Sequence, residues 1–248
     1  EMYQKLIVSE RTTKMKLIKI FLFIVSLSGS LTLSQWLPQV SGTTLQLRAV
    51  EVINTTTAYA CGDNGAMLKT TNGGTNWVTL STPLTGNFTS MFFFNAITGI
   101  VGSVSDDIMK TTNGGTNWQV ISDGTGVTLS VVFPSANTGY IGGQNGLLRK
   151  TTNAGINWNN PGTPTSEDIT ALFFLNDNTG WLCTKGGVSS NVVRKTTNGG
   201  TNWTTQLTGS DMFSIVFIDA STGIIGSFAQ IKRTTNGGIS WDNINTGT

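Results

Sequence analysis

The chain of 248 residues holds 15 Lys plus Arg, 13 Asp plus Glu and no histidine, so only 11% of it is charged and the net charge is +2. From residue 35 onward ten basic residues face eleven acidic ones, a net charge of −1 that leaves no basic excess for a nucleic-acid partner. Two cysteines without a histidine exclude a Cys and His zinc site.

Residues 1–14 precede Met15 and read as an extension in front of the true start. The stretch MKLIKIFLFIVSLSGSLTLSQW that follows sets Lys16 and Lys19 before an apolar run and small residues before Gln35. This is the layout of a signal peptide over residues 15–34. Ser26, Ser28, Gly29 and Ser30 keep the run short of the ~20 apolar residues that a spanning helix needs. The expectation is an exported chain, periplasmic, cell-surface or extracellular, that begins near Gln35 and has no membrane span once the leader is cleaved.

Residues 35–248 are repetitive. KTTNGGTNW occurs at 69–77, 110–118 and 195–203, with variants KTTNAGINW at 150–158 and RTTNGGISW at 233–241. Trp77, Trp118, Trp158, Trp203 and Trp241 are 41, 40, 45 and 38 residues apart, a period that belongs to repeat architectures. Each unit opens with a short β-branched and aromatic run, such as FTSMFFF at 88–94 or ITALFFL at 169–175. A second strand starts at TAY, TGI, TGY, TGW and TGI in turn. Hairpins such as GDNG (62–65) and GQNG (143–146) follow, where Asn-Gly favours the type I′ turn. The third strand runs into the nonapeptide and the fourth leaves from its tryptophan. Four antiparallel strands in about 40 residues describe a blade of an all-β propeller. Five blades are expected over 47–86, 87–126, 127–167, 168–210 and 211–248. A lone strand is expected at 36–41, because Trp36 precedes Val50 by the 14 residues that separate Trp118 from Val132. That unpaired strand predicts a piece of a six- or seven-bladed ring, left open.

Within each blade one column is small, at Ala49, Ser90, Ser130, Ala171 and Ser214, as close approach around a central axis demands. Cys61 and Cys183 take equivalent places three repeats apart, too far for a disulfide, and read as buried thiols. In the nonapeptide, Asn72, Asn113, Asn153, Asn198 and Asn236 are expected to bond their own turn. The next residue is Ala154 in one copy, whereas Gly74, Gly115, Gly155, Gly200 and Gly238 are invariant. Positive φ or close backbone approach is therefore expected at this second position. The tryptophans are expected beneath the turn, between sheets.

The pattern Thr-x-Asn-x-Gly-x-x-Trp from Thr70 to Trp77 resembles the Asp-box, or BNR, repeat with Asn in place of Asp. Five spaced copies over residues 36–248 look most like the secreted propellers of the photosystem II stability and assembly factor family. That resemblance implies a seven-bladed propeller whose photosynthetic member chaperones a reaction-centre subunit through a basic face. On that analogy Lys69, Lys110, Lys150, Lys195 and Arg233 are the candidate partner contacts. The family commonly has arginine in this column, and lysine lacks its bidentate grip on carboxylates.

Asp boxes also occur in sialidase-like and xyloglucanase-like propellers. Sialidase chemistry needs an arginine cluster and a tyrosine nucleophile, and the two tyrosines of residues 35–248, Tyr59 and Tyr140, sit at repeat-equivalent strand positions. A two-carboxylate glycosidase could pair Asp63 with Asp106 or Asp107 on neighbouring hairpins, although Asp-Asn-Gly is a turn signal in its own right. No run of alternating acids resembles a calcium loop, so no metal and no cofactor is expected. The preferred reading is a non-catalytic scaffold for a protein or glycan. The alternatives are the glycosidase and a surface adhesin. The hairpin lengthened to KGGVSSNVV (185–193) marks a second candidate binding surface.

Overall fold

The computed structural model describes residues 38–122, 126–162, 164–186, 191–228 and 230–244. The leader, residues 36 and 37 of the expected first strand, and the tip of the 185–193 hairpin lie outside these residues. Five antiparallel sheets follow one another along the chain, each ordered as a simple meander. Blade one comprises Leu47–Val52, Ala58–Gly62, Met67–Thr70 and Val78–Thr79. Blade two comprises Phe88–Phe93, Gly99–Ser103, Asp107–Thr111 and Gln119–Ser122.

Among the described residues blade three has three strands, Thr128–Val132, Gly139–Gly143 and Leu148–Thr151. Its fourth place holds a single bridge, in which Lys150 and Asn159 exchange two backbone hydrogen bonds of 2.8 Å. Pro161 and Pro164 follow at once and have no N–H to continue a ladder. Blade four comprises Asp168–Phe174, Gly180–Lys185, Asn191–Thr196 and Thr204–Gly209. Blade five comprises Met212–Phe217, Gly223–Ser227, Gln230–Thr234 and Asp242–Ile244.

Residues 38–41 of the expected amino-terminal strand form no ladder. Gln39 instead turns its side chain onto the tryptophan and box of blade one. Among the described residues no helix is long and apolar enough to cross a membrane.

The core is a series of joints between successive blades. Tyr59, Cys61 and Met67 of blade one meet Phe88, Met91 and Phe93 of blade two. Equivalent clusters join blades two and three, three and four, and four and five. Burial on both faces explains why second strands such as Gly99–Ser103 and Gly139–Gly143 are buried at every residue. They read as continuous apolar or glycine runs rather than alternating ones.

Around the axis, each first strand carries a register shift at or beside the small column, between Phe88 and Ser90 and between Ile169 and Ala171 for example. A bulge bends the strand there. The serines then accept across the joint, with Val131 N–H donating to Ser90 Oγ at 3.1 Å and Leu172 N–H to Ser130 Oγ at 3.2 Å. The small column thus allows close approach and also hydrogen-bonds neighbouring blades. Cys61 and Cys183 are buried and not joined to each other. Burial pushes the Cys183 thiol up, keeping it protonated.

Candidate functional site

All five nonapeptides fold alike. In blade one the Thr70 hydroxyl donates to Asn72 Oδ1 at 3.0 Å and accepts the Gly74 N–H at 2.9 Å, while Asn72 Oδ1 accepts the Asn76 N–H at 2.9 Å. The same three bonds recur on Thr111 with Asn113, Thr151 with Asn153, Thr196 with Asn198 and Thr234 with Asn236. The hinge of the turn is therefore a buried threonine, a role for which the sequence signal was its presence in every copy. Both residues after the asparagine have positive φ, from 58° at Ala154 to 94° at Gly238. The sequence reading addressed only the second of them. Near 58° an alanine fits the left-handed region, whereas the values of 78° to 94° at the second position favour glycine.

The tryptophans are half-buried, less enclosed than expected. Trp118, Trp158, Trp203 and Trp241 rest edge-on against Phe93, Phe133, Phe174 and Phe217 of their own blades, at centroid distances of 5.8 to 6.4 Å. Each of those phenylalanines also faces the preceding blade. Tyr59 stacks on Phe93 at 3.8 Å, Tyr140 on Phe174 at 3.7 Å and Trp181 on Phe217 at 3.7 Å.

The cation column lies in the same joints. Lys69 Nζ donates to the carbonyl of Gly114, Lys110 to Ala154, Lys150 to Gly199 and Lys195 to Gly237, at 2.7 to 3.2 Å. In every case the acceptor is the first residue after the box asparagine of the next blade. Lys69, Lys150 and Lys195 also stand over the rings of Tyr59, Tyr140 and Trp181. The hydroxyls of Tyr59 and Tyr140 donate to the same Gly114 and Gly199 carbonyls at 3.2 and 3.1 Å. Desolvation holds the Lys110 ammonium below its usual pKa, consistent with its partial burial. Arg233, the fifth member, is exposed on blade five.

The opposite face carries the hairpins. Asn64 and Gly65 have φ of 52° and 73°, with Ala66 N–H closing onto Asp63 O at 3.0 Å, as a type I′ turn requires. Asn145 and Gly146 repeat that geometry. These hairpins are tied to the connection into the next blade, where Asn87 Oδ1 accepts from Asn64 N–H and Asp168 Oδ1 from Asn145 N–H, each at 3.0 Å. Of the candidate carboxylates, Asp63 is ion-paired with Arg48 of its own blade. Asp106 is exposed and, with Gln144, Asn145 and Arg149, lines a polar cleft of about 360 Å³ along the seam of blades two and three. Asp63 does not line that cleft. Among the described residues no cluster of His, Cys, Asp or Glu could hold a metal ion.

A family model described as Photosynthesis system II assembly factor YCF48 matches residues 75–239, an interval that runs from the first box to the last. The chain belongs to this family. No curated protein matches it. Among solved structures, YCF48 bound to a D1 peptide is 15% identical, with 81% of this chain and 82% of that one covered and a TM-score of 0.48. The GH74 xyloglucanase of Xanthomonas campestris is 14% identical over 81% of this chain and 38% of its own, with a TM-score of 0.66. The GH74 enzyme of Niastella koreensis is 18% identical over 79% and 38%, with a TM-score of 0.68. This YCF48-family chain therefore spans well under half the length of those hydrolases, and the likeness to them is one of fold.

Proposed function

We propose that the chain is an exported, non-catalytic scaffold that holds a protein partner, in the manner of an assembly factor. The observation that carries this reading is the family match over residues 75–239, which spans the repeated frame. Export rests on the leader pattern at 15–34. The partner surface is assigned to the hairpin face, where exposed turns and the cleft beside Asp106 and Arg149 ride on a rigid frame. The box face is a poorer candidate, because its turns satisfy their own hydrogen bonds and four of the five cations there bond the neighbouring blade. In the column first read as partner contacts, that role falls to Arg233.

A hydrolytic reading needs two carboxylates facing each other across a groove. The pairing of Asp63 with Arg48 gives it little support.

The test is site-specific photo-crosslinking of the full chain in its native extract, from positions 64, 106 and 145 against control positions 78 and 242 on the outer strands. Protein adducts confined to the hairpin positions are expected. Adducts from the control positions alone, or steady release of reducing ends from β-glucan oligosaccharides, would overturn the reading. Intact mass of the secreted product should place its first residue near Gln35.

A further inference from the structure

The connections into blades two, four and five are each tied to the hairpin of the preceding blade by one side chain. Asn87 accepts from the blade-one hairpin and Asp168 from that of blade three, while Asp211 accepts Gly186 N–H and the Asn191 side-chain amide of blade four. Val127 stands at the same place on the way into blade three, three residues before the small column, and has no side-chain acceptor. The blade-two hairpin closes on itself instead, with Ser105 N–H donating to Ser103 Oγ at 3.2 Å.

Two further departures from the repeat meet at this seam. Asp106 takes the hairpin position of Gly65 and Gly146, and Arg149 takes the third-strand position of Leu68 and Met109, which are at most 1% exposed. Val127, Asp106 and Arg149 all line the cleft of about 360 Å³ between blades two and three. Three changes to a repeated frame thus converge on one opening inside it, and each gives up a contact that the other blades keep; such breaks in an otherwise consistent pattern are where function is expected. Arg149 NH1 donates to Leu148 O at 3.2 Å, the carbonyl whose counterpart, Met67 O, accepts the fourth-strand Leu80 N–H in blade one. That bond fixes one end of the guanidinium. Among the described residues no ion pair joins Arg149 to Asp106 or to any other carboxylate.

We infer that this cleft receives a dipolar turn of the partner protein, an acidic side chain beside a basic one, with the carboxylate held by Arg149 and the cation by Asp106. The inference rests on the hairpin-face reading above and names what that face recognises. A planar guanidinium already anchored at one end can grip both oxygens of a carboxylate. Asp106, on the blade-two side of the same cleft, repels a lone carboxylate and so selects a ligand that carries the opposite charge next to it. A cleft at the small end of ligand pockets admits only a few side chains, which sets the two charges close together in the partner.

The probe is acetyl-Gly-Glu-Lys-Gly-amide, blocked at both ends, titrated into the full chain and followed in nitrogen–proton correlation spectra by the amides of Val127, Asn145 and Gly146 and the Nε–H of Arg149. Saturable shifts confined to these groups are expected. Gln for Glu in the peptide, or Arg149→Lys in the protein, should weaken binding on the order of tenfold or more. Asp106 is exposed, so Asp106→Asn does not put folding at stake; it should weaken the Glu-Lys peptide and strengthen acetyl-Gly-Glu-Gln-Gly-amide, from which the repulsion is lifted. No saturable shift, shifts indifferent to Arg149 and Asp106, or equal binding of a peptide whose only charge is a free C-terminal carboxylate overturns the inference. Photo-crosslinks from positions 64 and 145 that persist undiminished in Arg149→Gln also overturn it, yet leave the hairpin face standing as the partner surface, so the two readings fail separately.

Discussion

Lys150 of blade three donates to the carbonyl of Gly199 in blade four at 2.9 Å, and the hydroxyl of Tyr140, the residue paired across from Lys150, donates to the same oxygen at 3.1 Å. Two strands of one blade thus hold one oxygen of the next. A single carbonyl with two lone pairs is satisfied by one charged and one neutral donor. The lysine column is accordingly part of the frame, and its charge does not depend on a partner for compensation.

Lys150→Ala should therefore cost about 1.5–3 kcal/mol, the range for a hydrogen bond to a charged group. Arg233→Ala, at the equivalent but exposed position, should stay within about 0.5 kcal/mol. Urea melts of the two variants make the comparison. Equal losses would mean that the ammonium to carbonyl bonds contribute nothing net.

The aromatic joint yields a graded series. Phe93 is fully buried between the stacked Tyr59 ring and the edge-on Trp118, so Phe93→Ala should cost roughly 3–5 kcal/mol. Trp118 is half-buried, and Trp118→Ala should cost about 2–3 kcal/mol. Trp77 rests on no described aromatic ring, since Val52 occupies the place of Phe93, and Trp77→Ala should cost least. Denaturant midpoints falling in any other order would count against the joint as the unit of stability.

Blade number, the hairpin turns and the small axial column were legible because each is set by local chemistry repeated five times. Asn64-Gly65 specifies its turn whatever surrounds it, and Ser90 announces close packing by its size alone. The destination of Lys69 was not legible. Its acceptor, the Gly114 carbonyl, is 45 residues away and is a backbone atom with no side-chain signature. The depth of the tryptophans was overestimated for the same reason, because Trp118 rests edge-on against Phe93 at the border of the joint and stays half-buried. The break in blade three could have been read from Pro161 and Pro164, which stand where a fourth strand requires donors.

Alkaline pH should destabilise the protein, in part through Tyr140. Burial first, and the charge of Asp177 second, raise its hydroxyl well above the ordinary value of 10.0. A raised folded pKa stabilises the fold below the unfolded value, and this contribution is lost as pH climbs from about 10 towards the folded value. In that window the contribution falls by up to about 1.4 kcal/mol per pH unit. Tyr140→Phe should lower stability at pH 8 by about 1–2 kcal/mol, through loss of the one hydroxyl proton shared between Asp177 O and Gly199 O, and should flatten the decline above pH 10. Urea midpoints between pH 8 and 11 test both parts. An unchanged alkaline slope in the variant would place the titration elsewhere.

The two positions after the box asparagine should differ in their tolerance of a side chain. At Gly115, φ is 86° and a Cβ would lie 2.4 Å from Leu80 Cδ1, so Gly115→Ala must strain the backbone and push Leu80 aside. A cost of roughly 2–3 kcal/mol is expected. At Gly114, φ is 71°, and a Cβ meets Lys69 Nζ at 2.8 Å and Ala96 O at 3.1 Å. Blade three already carries an alanine at this position, with φ of 58° and its carbonyl still accepting Lys110 at 2.7 Å. Gly114→Ala should therefore cost only about 1 kcal/mol. The reverse change, Ala154→Gly, relieves left-handed strain of about 1–2 kcal/mol but adds about 0.5–1 kcal/mol of unfolded-chain entropy. It should leave stability unchanged or raise it by up to about 1.5 kcal/mol. Thermal melts of the three single variants decide the matter: a Gly114→Ala loss as large as that of Gly115→Ala, or a clear loss in Ala154→Gly, would show that the first position is not the tolerant one.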